Sequence, residues 1–217
     1  MKNNMTELVF ILDRSGSMSG LESDTVGGFN SMLRRQKAEP GEAWVTTVLF
    51  DTRFERLHNR LRLQDVAELT EQDYVPGGCT ALLDAVGDTI RHIANIHRCA
   101  GSEDVPEKTL VVIMTDGMEN ASRRFSLKEI RRMVEHEQEK YGWEFLFLGA
   151  NIDAFASAGR LGIRADHATN FHADDMGMEK SFRAVSQAVQ VMYSRAPLDA
   201  SWKDEVEQDH KSRRSRR

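Results

Sequence analysis

Three short loops rich in side-chain oxygen carry the residues of this chain that could do chemistry. They span residues 13–19 (the first loop), 76–80 (the second loop) and 115–117 (the third loop). The candidate ligands in them are Asp13, Ser15, Ser17, Thr80 and Asp116. These side chains supply carboxylate and hydroxyl oxygens, which hard divalent cations prefer over thiolate and imidazole. The loops therefore predict a site for Mg²⁺, with Mn²⁺ or Ca²⁺ as alternative ions.

The spacing within the first loop suits such a site. The alternation of Asp13, Ser15 and Ser17 allows one turn to direct three side chains at a single point, and Gly16 permits a tight backbone between them. Most of the candidate ligands are neutral hydroxyls, so a bound ion would keep more of its positive charge than in a cage of carboxylates. We expect such an ion to attract a carboxylate from outside the chain.

Each loop also has an ordinary structural interpretation. Serine is common in strand-to-helix turns, Thr80 alone is typical of a helix N-cap, and Asp116-Gly117 alone is typical of a turn. The prediction of a metal site depends on all three loops occurring in one chain and meeting at one place in the fold.

The surrounding sequence predicts elements that would bring the loops together. Apolar runs such as Leu8–Leu12 and Leu110–Met114 are typical of strands buried on both faces of a parallel sheet, and they alternate with segments of helical spacing. Residues 44–50 and 54–58 are close enough to pair as a hairpin. The predicted fold is α/β: a doubly wound, Rossmann-like, mostly parallel sheet with one antiparallel edge strand and helices on both faces. Ligands bind such sheets at the carboxyl ends of the strands, where these loops are predicted to lie.

Asp13-x-Ser15-x-Ser17, the Gly-Gly-x-Thr sequence ending at Thr80, and Thr115-Asp116-Gly117 together resemble the metal-ion-dependent adhesion site (MIDAS) of von Willebrand factor A (vWA) domains. The resemblance covers roughly residues 6–193. It implies that the two serines and Thr80 contact the metal directly, and that the two aspartates bind it or orient water molecules on it. It also implies that a Glu or Asp of a protein partner completes the coordination. Intracellular members of this family assemble with other proteins, AAA+ ATPases among them.

The composition bounds the remaining possibilities. The chain has 217 residues, 40% hydrophobic and 29% charged, which predicts a vWA-like domain over residues 1–198 and a charged, disordered tail over 199–217. The net charge of -5 argues against nucleic-acid binding, and two cysteines without a metal-binding pattern argue against a disulfide framework or a zinc site. We expect no membrane association and a cytoplasmic location, because the N-terminal apolar run is too short for a signal peptide and no apolar stretch is long enough to span a bilayer.

Two other functions compete with metal-dependent protein binding. A Mg²⁺-dependent hydrolase or phosphatase could use the same ion, but no P-loop sequence occurs, and an aspartyl-phosphate site would need a second carboxylate where Ser15 stands. A metal-free scaffold would use the loops only to cap helices. The sequence favours a binding module that is not an enzyme.

Overall fold

A six-stranded sheet forms the centre of the protein in the computed structural model, which describes residues 2–194 and 196–214. The strands are β1 (Lys2–Asp13), β2 (Glu42–Phe50), β3 (Phe54–Arg62), β4 (Pro106–Thr115), β5 (Glu144–Ala150) and β6 (Ala168–Phe171). Their order in the sheet is β3-β2-β1-β4-β5-β6, and only β3 runs antiparallel to its neighbour. The predicted fold class, including the single antiparallel edge strand, is confirmed.

Helices cover both faces of the sheet. They are α1 (Glu22–Ala38), α2 (Leu82–Cys99), α3 (Leu127–Tyr141), α4 (Ala154–Arg160), α5 (Asp175–Tyr193) and α6 (Asp204–Arg214). Helices α1, α5 and α6 pack into the core on one face, and α2, α3 and α4 pack into the core on the other. Within the described residues, no helix combines the length and the apolar content that a membrane span requires.

Strand β1 shows why its apolar run is continuous. Leu8, Phe10 and Leu12 point into the core beneath α1 and α5, whereas Val9 and Ile11 point into the core beneath α2 and α3. Successive side chains of a strand point to opposite faces, so a strand covered on both sides must be apolar at every position. Burial of each of these side chains stabilises the fold by about 1.5–3 kcal/mol, and it holds the carboxyl end of β1 in place at Asp13.

The C-terminal segment requires a correction. Disorder was predicted over 199–217, yet a 3₁₀ turn at Ala200–Lys203 leads into helix α6. Trp202 anchors this segment: it is 2% exposed, and its indole N–H donates to the backbone oxygen of Asp166 at 3.0 Å. The predicted disorder is wrong for the described residues because the apolar side chains in the segment are few but deeply buried. Residues 215–217 of the predicted tail lie outside the described part of the chain.

The charges of α6 are paired with neighbouring elements. Asp209 accepts from Lys180 of α5 at 2.6 Å. Arg213 donates to both carboxylate oxygens of Asp174, the N-cap of α5, at 2.7 and 2.9 Å. The charged sequence of α6 therefore forms a helix packed against the domain, because residues of α5 and its N-cap supply the partners of its charged side chains.

A buried histidine lies beside strand β6. His167 Nε2 is 3.0 Å from Glu144 Oε2, and His167 Nδ1 is 2.9 Å from Asp166 Oδ1. Burial lowers the pKa of His167, but the two carboxylates outweigh that effect and raise the pKa above its usual value. Through these two contacts the histidine joins the start of β5 to the turn before β6.

Candidate metal centre

Backbone hydrogen bonds tie the first loop to the second. Gly16 N donates to Gly78 O at 3.2 Å, and Gly77 N donates to Arg14 O at 2.9 Å. The first and third loops follow β1 and β4, which are adjacent parallel strands, so both loops leave the sheet at the same edge. The fold thus places all three oxygen-rich loops next to one another.

Four of the five predicted site residues form a continuous set of contacts. Ser15 Oγ lies 3.1 Å from Ser17 Oγ, and Thr80 Oγ1 lies 3.1 Å from Ser15 Oγ. Ser17 Oγ donates to Asp116 Oδ1 at 2.5 Å. Side-chain oxygens from all three loops therefore meet at one point, and the two residues of the Ser17–Asp116 contact are 99 positions apart in the chain.

Asp13, the fifth predicted residue, lies behind this set. It is buried, and its Oδ1 accepts from the backbone N–H of Ser15 at 2.7 Å. Its Oδ2 accepts from Thr115 Oγ1 at 2.5 Å. Because each of its oxygens already has a donor, Asp13 holds the first and third loops together in this geometry.

The donor set fits a hard cation. Asp116 Oδ2 is buried and has no hydrogen-bond partner within the described part of the chain, a state that costs several kcal/mol for a charged oxygen unless a ligand satisfies it. Gly117 leaves space beside it: a Cβ at this position would lie 2.9 Å from Thr80 Oγ1 and 3.4 Å from Ser17 Oγ. In the same described residues, no group of three or more His, Cys, Asp or Glu side chains forms a metal site. A cation here would depend on hydroxyl ligands.

The electrostatics of the site favour a cation as well. Burial raises the pKa of Asp13, although hydrogen bonds from Thr115 and Ser15 lower it in part. Burial also raises the pKa of Asp116, against a smaller lowering effect of Ser17. Both pKa shifts indicate that the carboxylates are poorly solvated when charged, and a nearby positive ion would offset the free-energy cost of burying their charge.

Several supporting residues were not predicted from the sequence. Asn120 Oδ1 accepts from Thr80 N at 2.9 Å, and the Tyr74 hydroxyl donates to the backbone oxygen of Asp13. Glu119 accepts from the backbone N–H of Leu83 at 2.9 Å, near the start of α2. Glu119 and Asn120 come two and three residues after Gly117, the end of the third loop, so their position in the sequence could have indicated that they accept hydrogen bonds from backbone N–H groups near the site. Nothing in the sequence near Tyr74 pointed to Asp13.

The turn of the second loop requires glycine at one position. Gly78 has a φ of +67°, and a Cβ there would lie 2.7 Å from Thr52 Oγ1. The same Thr52 oxygen accepts from Cys79 N at 2.8 Å. This left-handed turn directs the chain so that Thr80, two residues after Gly78, faces the other oxygens.

The sequence matches a family model. The model described as "VWA domain containing CoxE-like protein" matches residues 2–140, a span that includes all five predicted site residues. Among curated proteins, none is similar enough in sequence to count as a relative.

Solved structures share the fold at low sequence identity. The proximal thread matrix protein 1 of the mussel byssus has a TM-score of 0.60 and 15% identity, over 86% of this chain and 46% of that one. A von Willebrand factor type A protein from Catenulispora acidiphila has a TM-score of 0.59 and 14% identity, over 85% of this chain and 42% of that one. This chain thus spans less than half of either protein.

A third structure is matched almost over its whole length. The vWF domain of the type V pili tip protein Mfa5 from Porphyromonas gingivalis has a TM-score of 0.61 and 11% identity, over 88% of this chain and 97% of that one. One structure of the mussel protein, again at 15% identity and a TM-score of 0.60 over 86% of this chain and 46% of that one, is described as having a zinc-occupied MIDAS motif. At these identities the comparisons show a common fold.

Proposed function

This chain belongs to the family of VWA domain containing CoxE-like proteins, and we propose that it is a protein-interaction module that holds a partner through a divalent cation. The ion would lie at the carboxyl edge of the sheet, among the three oxygen-rich loops. The proposed ligand set is Asp13, Ser15, Ser17, Thr80 and Asp116.

One observation carries this proposal. Among the described residues, Asp116 Oδ2 has no hydrogen-bond partner; it is buried beside the hydroxyls of Ser17 and Thr80, and Gly117 leaves the space between them open. A cation in that space would satisfy the carboxylate oxygen and would keep most of its charge, because its other ligands are neutral. Mg²⁺ is the first candidate on the chemistry of the donor set. Mn²⁺, Ca²⁺ and the zinc of the mussel protein are the other ions to compare.

The side chains divide into two roles. Ser15, Ser17 and Thr80 would contact the ion directly together with Asp116. Asp13 would act mainly by positioning, since its oxygens hold Ser15 and the third loop, and it would reach the ion through water. The bound ion supplies positive charge that attracts an external carboxylate.

The proposed partner is a protein that presents a glutamate or aspartate to the ion. An AAA+ ATPase is the partner class that the family resemblance implies, and we place the interaction in the cytoplasm. Binding without catalysis is preferred because Asp13, the carboxylate that a phosphatase of the aspartyl-phosphate kind would use as nucleophile, already accepts a hydrogen bond at each oxygen.

Calorimetric titration with Mg²⁺, Mn²⁺, Ca²⁺ and Zn²⁺ tests the metal. We expect binding by the native chain and its loss in Asp116→Asn. The matched control is Asp104→Asn, because Asp104 is exposed and precedes β4 at the opposite edge of the sheet. Absence of binding by the native chain to all four ions would support the metal-free scaffold.

The partner's role is tested separately. A partner captured in the presence of Mg²⁺ should be released by EDTA, and replacement of its contacting glutamate or aspartate by the amide should abolish capture. Turnover of generic phosphate or peptide substrates that requires Mg²⁺ and is lost in Asp13→Ala would instead favour the hydrolase.

A further inference from the structure

A groove between helices α2 and α3 lies near the amino end of β4, whereas the candidate metal centre lies at the carboxyl ends of the strands. Its volume is about 630 Å³, within the range of cavities that bind ligands. Pro106 and Thr109, near the start of β4, form part of its lining, whereas the metal centre follows the end of β4. At about 3.3 Å per strand residue, Thr109 and Pro106 lie roughly 20 and 30 Å from the end of β4.

The floor of the groove is apolar. Ile90 and Ala94 of α2 face Met133 of α3 across it, and Trp143 closes its base. The Trp143 ring is buried at 4% exposure and packs edge-on against His97. Tyr141 stands at the rim and is 54% exposed. A partner side chain that entered this groove would therefore contact carbon atoms.

The rim of the groove is basic on both sides. Arg91 and Arg98 lie seven residues apart on α2, and Arg132 and Lys140 lie eight residues apart on α3. All four side chains belong to exposed residues. Arg98 and Lys140 interact electrostatically with Glu137, and Arg91 and Arg132 interact with Glu129. Arg91 also lies over the ring of Phe125.

The groove is cationic although the chain is acidic. Four Arg and Lys residues line it against two glutamates, in a chain whose net charge is -5. One of the glutamates, Glu137, is buried, and the other, Glu107, is half-buried and has a partner. The accessible charge at the rim is therefore positive, and it is complementary to an acidic partner.

From this charge pattern we propose that the groove is a second docking surface, which binds an acidic amphipathic helix of a protein partner. Each basic row spans two turns of helix, about 10–12 Å at 1.5 Å per residue. A helix of similar length could place apolar side chains on the floor and carboxylates against both rows, the arrangement by which amphipathic helices bind grooves. The chain would then bind two acidic partners, or two parts of one partner, by different means.

Labelled helical peptides test this proposal. The Glu peptide, about 14 residues long and so about 21 Å when helical, carries leucines along one face and glutamates beside them. The Lys peptide has lysine in place of every glutamate. We expect the Glu peptide to bind the native chain in a fluorescence anisotropy titration, with unchanged affinity in EDTA, and the Lys peptide to bind at least tenfold more weakly.

Charge reversal identifies the surface. Arg132→Glu combined with Lys140→Glu should weaken binding of the Glu peptide by tenfold or more. Lys128→Glu combined with Arg160→Glu changes the charge equally at exposed positions outside the groove and should leave affinity within twofold. Amide chemical shifts should change along 91–98 and 132–140.

Four results would overturn the proposed docking surface. The first two are no binding of the Glu peptide at about 1 mM, and binding of the Lys peptide as tight as that of the Glu peptide. The other two are unchanged binding of the Glu peptide after Arg132→Glu combined with Lys140→Glu, and a native dimer that this double substitution dissociates. The last would show that a second copy covers the groove. Loss of binding in EDTA would instead assign the peptide to the metal centre, so the two proposals fail separately.

Discussion

Alanine at position 117 should weaken metal binding strongly while leaving the fold intact. Its Cβ would lie 2.9 Å from Thr80 Oγ1 and 3.4 Å from Ser17 Oγ. That places a methyl group between two of the hydroxyls that are proposed to hold the ion. No ligand is removed by this substitution, so its effect reports on the space for the cation and not on the chemistry of the donors.

The size of the effect follows from two terms. Without metal, the neighbouring hydroxyl must move by a few tenths of an ångström, which we expect to cost about 1–2 kcal/mol. At a metal concentration 100 times the Kd, binding stabilises the native chain by about 2.7 kcal/mol. That raises the Tm by roughly 5–11 °C for a chain of this size. If the methyl group weakens binding 100-fold, the gain falls to about 0.4 kcal/mol, or roughly 1 °C.

Thermal denaturation with and without Mg²⁺ measures both terms. Gly77→Ala is the matched control, because Gly77 lies in the neighbouring loop and a Cβ there would meet no atom within 4 Å. It should melt near the native chain and keep the full metal-dependent rise. A folded Gly117→Ala chain that retains the full rise, or an equal loss of the rise in Gly77→Ala, would refute this role of Gly117.

Two further predictions concern stability. A Cβ at Gly28 would overlap the ring of Phe182 between α1 and α5, so Gly28→Ala should lower the free energy of unfolding by about 1–3 kcal/mol. A Cβ at Gly27 would meet no atom within 4 Å, so Gly27→Ala should raise the free energy of unfolding by about 0.5–1 kcal/mol. Equal effects of the two substitutions in urea titrations would contradict this packing. The raised pKa of His167 means that its protonated form stabilises the fold below pH about 6.5, and that this contribution is lost as pH rises through the folded-state pKa. A tenfold difference in proton affinity between the folded and unfolded chains corresponds to about 1.4 kcal/mol. Urea titrations between pH 6 and 9 should show this loss of stability in the native chain and not in His167→Gln. Identical pH profiles of the two chains would show that His167 does not cause the pH dependence.

Much of the fold was predictable because its signals are local. Continuous apolar runs marked the buried strands, and α3 begins at a Ser126-x-x-Glu129 pattern that is typical of helix N-termini. In the structure Glu129 N donates to Ser126 Oγ at 3.3 Å and Glu129 Oε2 accepts from Ser126 N at 2.8 Å. Helix α6 was missed because its stability comes from Trp202 and from ion pairs with α5, neither of which creates a periodic apolar pattern.

The candidate site divides in the same way. The types and order of its oxygen-bearing residues, and their positions after predicted strands, could be taken from the sequence, because parallel strands must end at a common edge. The distances among Ser15, Thr80 and Asp116, and the part that Asp13 plays behind them, were decided by the tertiary structure. So was the basic groove, whose two rows lie on helices 34 residues apart between Arg98 and Arg132. Local sequence determines what each segment can form, whereas contacts between distant segments arise only when the sheet brings their ends within a few ångströms.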